Sequence, residues 1–213
     1  MRKFKLSLKE KALIGIIAIL IPILITFVLV YSQNRVYLKN RVLDTLTVIA
    51  EAYEGQVYQF LEKAKIRARD FASDGFIRTQ MQKAIRGNAS AIGKLNKHIV
   101  RNKLVLDKTI NTISILSLEG RVVASTNNAE IGMDLSREAC FEEGKNSVAI
   151  VENRTGHMGL PEITISTTIF TKETGMPVGV IVNYILLSEL NKLLIGEYVK
   201  ELGAISWGKG KGA

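Results

Sequence analysis

Four side chains stand out for what they could bind. In the stretch Glu162 to Phe170, read as a strand, Thr164, Ser166 and Thr168 fall on one face and Ile163, Ile165, Thr167 and Ile169 on the other, because side chains alternate along a strand. A row of hydroxyls suits a polar ligand if it faces inward, and suits water equally well if it faces outward. Asn183 is a different case. It lies among Ile181, Val182, Tyr184 and Ile185, and a buried amide needs partners from a neighbouring strand or from a ligand.

Reactive chemistry is not visible in the same way. The single cysteine, Cys140, has no partner for an internal disulfide and reads as a small buried apolar side chain. The two histidines, His98 and His157, are far apart, so no metal-ligand spacing emerges. No HExxH, GxSxG or phosphate-loop pattern occurs, and no cysteine stands near a histidine. The expectation is a binding protein, with no enzyme activity, no metal and no cofactor.

Positioning such groups requires a scaffold, and its first part is apolar. From Ala12 to Tyr31 no charged residue occurs, and about 20 residues at 1.5 Å per residue cover the roughly 30 Å of a bilayer's hydrocarbon. Pro22 lies inside this run, which a membrane-spanning helix tolerates. Arg2, Lys3, Lys5, Lys9 and Lys11 precede it, so the positive-inside rule keeps the N-terminus cytoplasmic and sends the rest across the inner membrane. A cleaved secretory signal is disfavoured by the length of the run and by the absence of a small-residue cleavage site after it.

The net charge of +9 owes much to that leader, whose five bases oppose only Glu10. The remaining bases are not interleaved with aromatics, which argues against nucleic acid as a partner.

After the span, Val42, Leu46, Ile49, Tyr53, Val57, Phe60, Ala64, Ala68 and Phe71 recur at steps of three and four, the period of a helix. A helix from about Gln33 to Ala72 would be roughly 60 Å long, so part of it stands as a stalk. Its apolar face has two uses, packing on its own domain and pairing with a second copy as a homodimer. Helices are also expected from Phe76 to Arg86 and, with Ser90 as cap, to about Asn102.

From Thr112 the texture becomes β-branched. Strands are expected at Thr112 to Leu118, Arg121 to Thr126, Ser147 to Glu152, Glu162 to Phe170 and Pro177 to Leu187. Turns fall at Glu119-Gly120, Thr155-Gly156 and Lys172 to Gly175. A short helix is expected near Ser136 to Glu143, and a last one, capped by Ser188, through about Leu194. The glycine-lysine tail that follows reads as disordered.

The stretches Leu118 to Asn127, Ile131-Gly-Met-Asp134, Ser136-Arg137 leading to Phe141, and Thr174 to Asn183, in that order and spacing, resemble Cache domains, the extracytoplasmic PAS-like sensors. The likeness is to the membrane-distal half of a double Cache domain and covers about Arg35 to Trp207. It implies an α+β fold: an N-terminal transmembrane helix, a long stalk helix and a PAS-like five-stranded antiparallel sheet flanked by helices. It also implies a receptor with a histidine kinase, diguanylate cyclase or chemotaxis module inside the cell. Such receptors continue into a second subdomain and a second membrane helix, so the chain is expected to be a fragment or an early-terminated reading frame.

The expected organisation is a leader at 1–11, a span at 12–31, helices at 32–103, the sensor subdomain at 104–195 and a tail at 196–213. The resemblance places a small ligand between the sheet and the loop carrying the short helix. Arg137 and Phe141 become candidates beside Thr164, Ser166, Thr168 and Asn183, because an arginine can clamp a carboxylate through two bonds. Relatives that bind amino acids carry an aromatic pair just after the arginine, where this chain has Ala139 and Cys140. The implied ligand is therefore another carboxylate or a small polar molecule. The alternative from another class is a membrane-anchored, pilin-like adhesion or assembly protein without a pocket.

Overall fold

The computed structural model describes residues 8–153, 159–192 and 194–195. The chain divides into two units, 1–54 and 55–213.

In the first unit, helix α1 (Leu8–Ser73) begins and passes Pro22 without ending. Its apolar residues from Ile16 to Tyr31 face outward all round, the pattern of a helix whose solvent is lipid. It is the one helix among the described residues long and apolar enough to cross a membrane, with a mean hydropathy of 2.9 in its most apolar window. The expected span and stalk are a single element, because nothing between Ser32 and Ala72 breaks the helical pattern and the lone Gly55 meets no crowding.

In the second unit the end of α1 lies on a sheet. Phe60, Ala64, Ala68, Phe71 and Ala72 are buried, and the alanines, four apart, let the helix backbone approach closely. After α1 come α2 (Gly75–Ile85) and α3 (Ala89–His98). Asp74 caps α2, accepting from Phe76 N at 2.8 Å and Ile77 N at 3.0 Å. Asn88, not Ser90, caps α3, accepting from Ala91 N at 3.3 Å. Gly87, at φ +84°, ends α2 so tightly that the next cap falls at once. The helix expected to reach Asn102 stops at His98 and gives way to a π turn, Ile99–Lys103.

The strands are β1 (Ile110–Leu116), β2 (Val122–Ser125), β3 (Ala149–Asn153), β4 (Glu162–Phe170) and β5 (Pro177–Leu186). They form one five-stranded antiparallel sheet in the order β2-β1-β5-β4-β3, as the α+β expectation required. Between β2 and β3 lies the short helix α4 (Ala139–Gly144). Residues 187–192 are helical, one residue ahead of the Ser188 cap expected there. The turn expected at Thr155-Gly156, the first seven residues of the leader and the tail beyond 195 lie outside the described residues.

Both faces of the sheet are covered. Ile113, Ile115, Ile163, Ile165, Ile169, Ile181 and Ile185 join the residues of α1, α2 and α3 in one apolar core. Leu116, Val122, Val180, Val182 and Tyr184 meet Leu135, Cys140 and Phe141 in a second core on the other side. Central strands buried on both faces explain why β4 and β5 read as nearly unbroken β-branched runs.

Candidate functional site

The face beneath α4 is built from three strands in register. Thr112, Tyr184 and Thr164 form one cross-strand row, Ser114, Val182 and Ser166 the next, and Leu116, Val180 and Thr168 the third. Glu162 shares this face by alternation along β4. One end of the face is thus polar and the other apolar, and all of these residues are buried.

The hydroxyl row therefore faces protein and not water. Thr164 Oγ1 donates to Val151 O at 3.1 Å and Thr168 Oγ1 to Gly144 O at 2.9 Å. Ser166 Oγ is buried with no hydrogen-bond partner among the described residues.

Helix α4 is held on this face by the β1–β2 hairpin. Gly120, at φ +82°, lies so close to Ser136 that an added Cβ would come within 2.4 Å of the Ser136 Cα. Leu135 N donates to Gly120 O at 2.8 Å, which fixes where the loop turns toward α4. At the far end of the helix, Gly144 rests on Ser166. Phe141, only 3% exposed, fills the space over Val180 and Val182.

Of the six candidates, the fold brings together Phe141, Thr164, Ser166 and Thr168. Arg137 is exposed beside Asp134, whose carboxyl is held below the usual range by the Ser136 amide and hydroxyl with help from Arg121 and Arg137. Asn183 pairs with Ile113 and Ile165, so it faces α1 to α3 on the opposite side of the sheet. Both of its amide atoms are buried there without a hydrogen-bond partner among the described residues.

Sequence reasoning missed the polar groups surrounding Tyr184. Glu130, 2% exposed, accepts from Ser114 Oγ at 2.6 Å, Ser125 Oγ at 3.0 Å and Asn127 Nδ2 at 3.1 Å. Glu162 is equally buried. Burial raises the Tyr184 phenol well above its ordinary value, with Cys140, Glu130, Glu162 and Glu138 adding to it. Burial likewise pushes the Cys140 thiol up to about 11, helped by Glu138, so it stays protonated and unreactive. The alternation that places Ser114 on β1 is visible in sequence, but Glu130 sits in a loop and its serine partners come from two strands. No grouping of three or more His, Cys, Asp or Glu among the described residues could hold a metal ion.

No family model matches the chain, and no curated protein matches it. Solved structures do. The sensor domain of the V. cholerae histidine kinase DctB superposes with a TM-score of 0.63 at 14% identity, covering 72% of this chain and 59% of that one. The sensory domain of the Campylobacter jejuni chemoreceptor Tlp3 (CcmL), with isoleucine bound, gives 0.53 at 14% identity, covering 68% and 60%. The ligand-binding domain of the Pseudomonas fluorescens chemoreceptor CtaA, in complex with L-alanine, gives 0.52 at 13% identity, covering 69% and 60%.

The fold is that of the sensor domains of histidine kinases and chemoreceptors, as the Cache resemblance implied. The chain spans about three fifths of the length of each of these structures. The pilin-like alternative has no support in this fold.

Proposed function

We propose that residues 55–195 form an extracytoplasmic ligand-sensing domain of a membrane signal-transduction receptor. The carrying observation is the likeness of its fold to sensor domains of receptors. The N-terminal apolar helix supports a single pass through the inner membrane, with the bases before it on the cytoplasmic side. The domain boundaries follow: a leader at 1–11, a span at 12–31, helices at 32–103 and the sensor subdomain at 104–195, with a homodimer formed through the long helix.

The ligand, a small polar molecule or carboxylate, meets the face under α4, with Thr164, Ser166, Thr168 and Phe141 as its contacts. That face is closed by Gly144 on Ser166 and by Phe141 on the apolar end. Binding therefore requires α4 to lift. Arg137, at the entrance to α4, would swing inward to clamp a carboxylate. Asn183 would take part through the core on the other side and not by contact. A ligand that prefers the lifted state shifts the equilibrium by its differential affinity, and α1, packed on the same sheet, carries the change toward the membrane.

The test is a thermal-shift screen of the full chain in lipid nanodiscs against organic acids, amines and sugars. A ligand present at 100 times its dissociation constant adds about 2.7 kcal/mol, a readily measured rise in Tm. Silence across the panel, together with filament formation, would sink the sensor reading.

A further inference from the structure

The second unit carries its charge unevenly. Residues 75–108 hold eight Lys or Arg and one Asp, whereas residues 109–195 hold six against ten acids. The excess falls on α2, α3 and the π turn after them, on the opposite side of the sheet from α4.

The two helices pair as an antiparallel hairpin. Phe76 of α2 stacks on His98 at the end of α3, ring centroids 4.4 Å apart, and Gly87 and Asn88 turn the chain at the other end. Lys83 is seven residues on from Phe76 and Lys94 four before His98, so each repeats the side of its helix that carries the stack. The two lysines therefore flank the seam of the hairpin. From Lys94, Lys97 and Arg101 follow at steps of three and four, a row along α3 into the π turn. All four are exposed.

The acids nearby are otherwise engaged. None of the four cations makes an ion pair among the described residues. Asp74 is taken by Lys103 and His98, and Asp107 by Arg67. Glu173 reaches α2 but accepts from Gln82 Nε2 at 3.2 Å and stands near Arg86. Glu119 lies at a groove with Ile85 and Ile92. By contrast, Lys65, Lys145 and Lys192 each pair with a glutamate three residues before. Like charges three and four apart weaken a helix, so the row is a cost that a bound polyanion would remove.

We propose that the α2–α3 hairpin is the docking surface for a linear anionic polymer, whose charges run along Lys94, Lys97 and Arg101 with Lys83 beside them. Neighbours in the row stand about 5–6 Å apart, a step that successive charges on one polymer chain can match. A bilayer fits less well: Ile85, the exposed large aliphatic of α2, sits at the groove with Leu118 and Val123 and not on the row. A nucleic acid also fits less well, since the ring at hand, Phe76, is already stacked on His98 and offers a base no platform.

The experiment is a fluorescence titration of the full chain, in nanodiscs of zwitterionic lipid, with labelled poly-L-glutamate. Arg2, Lys3, Lys5, Lys9 and Lys11 are changed to glutamine in every sample, so that the leader cannot compete. The polymer should bind, and about tenfold or more more weakly when salt rises from about 50 to about 200 mM, because each engaged cation displaces a counterion. The triple variant Lys94→Gln, Lys97→Gln, Arg101→Gln should lose binding at least tenfold and melt no lower than its parent, since it relieves repulsion. A second triple variant, Lys65→Gln, Lys145→Gln, Lys192→Gln, makes the same change in net charge and should bind as the parent does. Equal losses in the two would show that net charge and not the row attracts the polymer, and would overturn the proposal, as would absence of binding at low salt. Markedly tighter binding to phosphatidylglycerol vesicles or to single-stranded DNA of matched charge would also overturn it, giving the surface to a lipid or a nucleic acid.

Discussion

A Cβ built on Gly144 would lie 2.4 Å from Ser166 Oγ and 2.7 Å from Ser166 Cβ. The C-terminal end of α4 therefore rests on β4 with no room for a single methyl group, and this contact holds the candidate ligand face shut.

Gly144→Ala should lower stability by about 1–3 kcal/mol, the usual cost of overpacking a filled site, read by urea unfolding. Ser166→Ala should be neutral or slightly stabilising in the absence of ligand, because it removes a buried hydroxyl that has no partner among the described residues. The double variant should recover part of the loss, since the hydroxyl is gone while the Ser166 Cβ remains. Strict additivity would show that the two residues do not touch in solution.

At the junction of α1 and α2, Asp74 does two jobs. Its Oδ1 caps α2, and its Oδ2 pairs with Lys103 at 2.5 Å and lies 3.5 Å from His98 Nε2. Burial pulls its pKa upward, but the Lys103 bond, the Ile77 amide and the charges of Lys103 and His98 outweigh that and leave it below the ordinary 3.8. A depressed carboxyl contributes stability that is present above its unfolded value and lost as pH falls through the folded one. Asp74→Asn keeps a capable cap and deletes the charge, so its deficit should be clear at pH 7, begin to shrink as pH falls past about 4 and vanish only below the lowered folded pKa. Asp74→Ala should cost about 1–2 kcal/mol at pH 7 through the cap alone. A deficit for the Asn variant that does not change with pH would show that the charge is not what matters.

Orientation is checked by chemistry at Ala129, an exposed position in the loop before α4. Ala129→Cys should react with a membrane-impermeant maleimide on intact cells with a permeabilised outer envelope. The native Cys140, buried and held as a thiol by its raised pKa, should give little background. Labelling only after lysis would place the domain on the cytoplasmic side.

The strands were legible because alternation and β-branching survive burial: β4 has the same ends in sequence and structure, Glu162 and Phe170. The hydroxyl row followed from the same period. Its surroundings did not, because a strand covered on both sides gives no sign of which face meets α4 and which meets α1. The relation of Asn183 to Thr164 depends on the β4–β5 register, in which Asn183 opposes Ile165, and register is a property of pairing that neither strand carries alone. Glu130 was invisible for a similar reason, since its three donors arrive from β1, β2 and the loop after β2.

Asn183 makes the sharpest stability prediction. It is 1% exposed among isoleucines, with both amide atoms unpaired among the described residues, and each such group costs about 1–3 kcal/mol. Leucine has the same number and branching of side-chain heavy atoms and no polar ones, so Asn183→Leu should raise stability by about 1–3 kcal/mol in urea unfolding, less the packing cost of its bulkier methyl groups. The proposed ligand response gives such a group a use if α1 takes a second arrangement against the sheet in which the amide finds partners. If so, the leucine variant should be more stable and yet respond less to ligand, because it favours the present arrangement alone. A loss of stability would show that the amide is already satisfied in solution, and the two-arrangement account would then lose its basis.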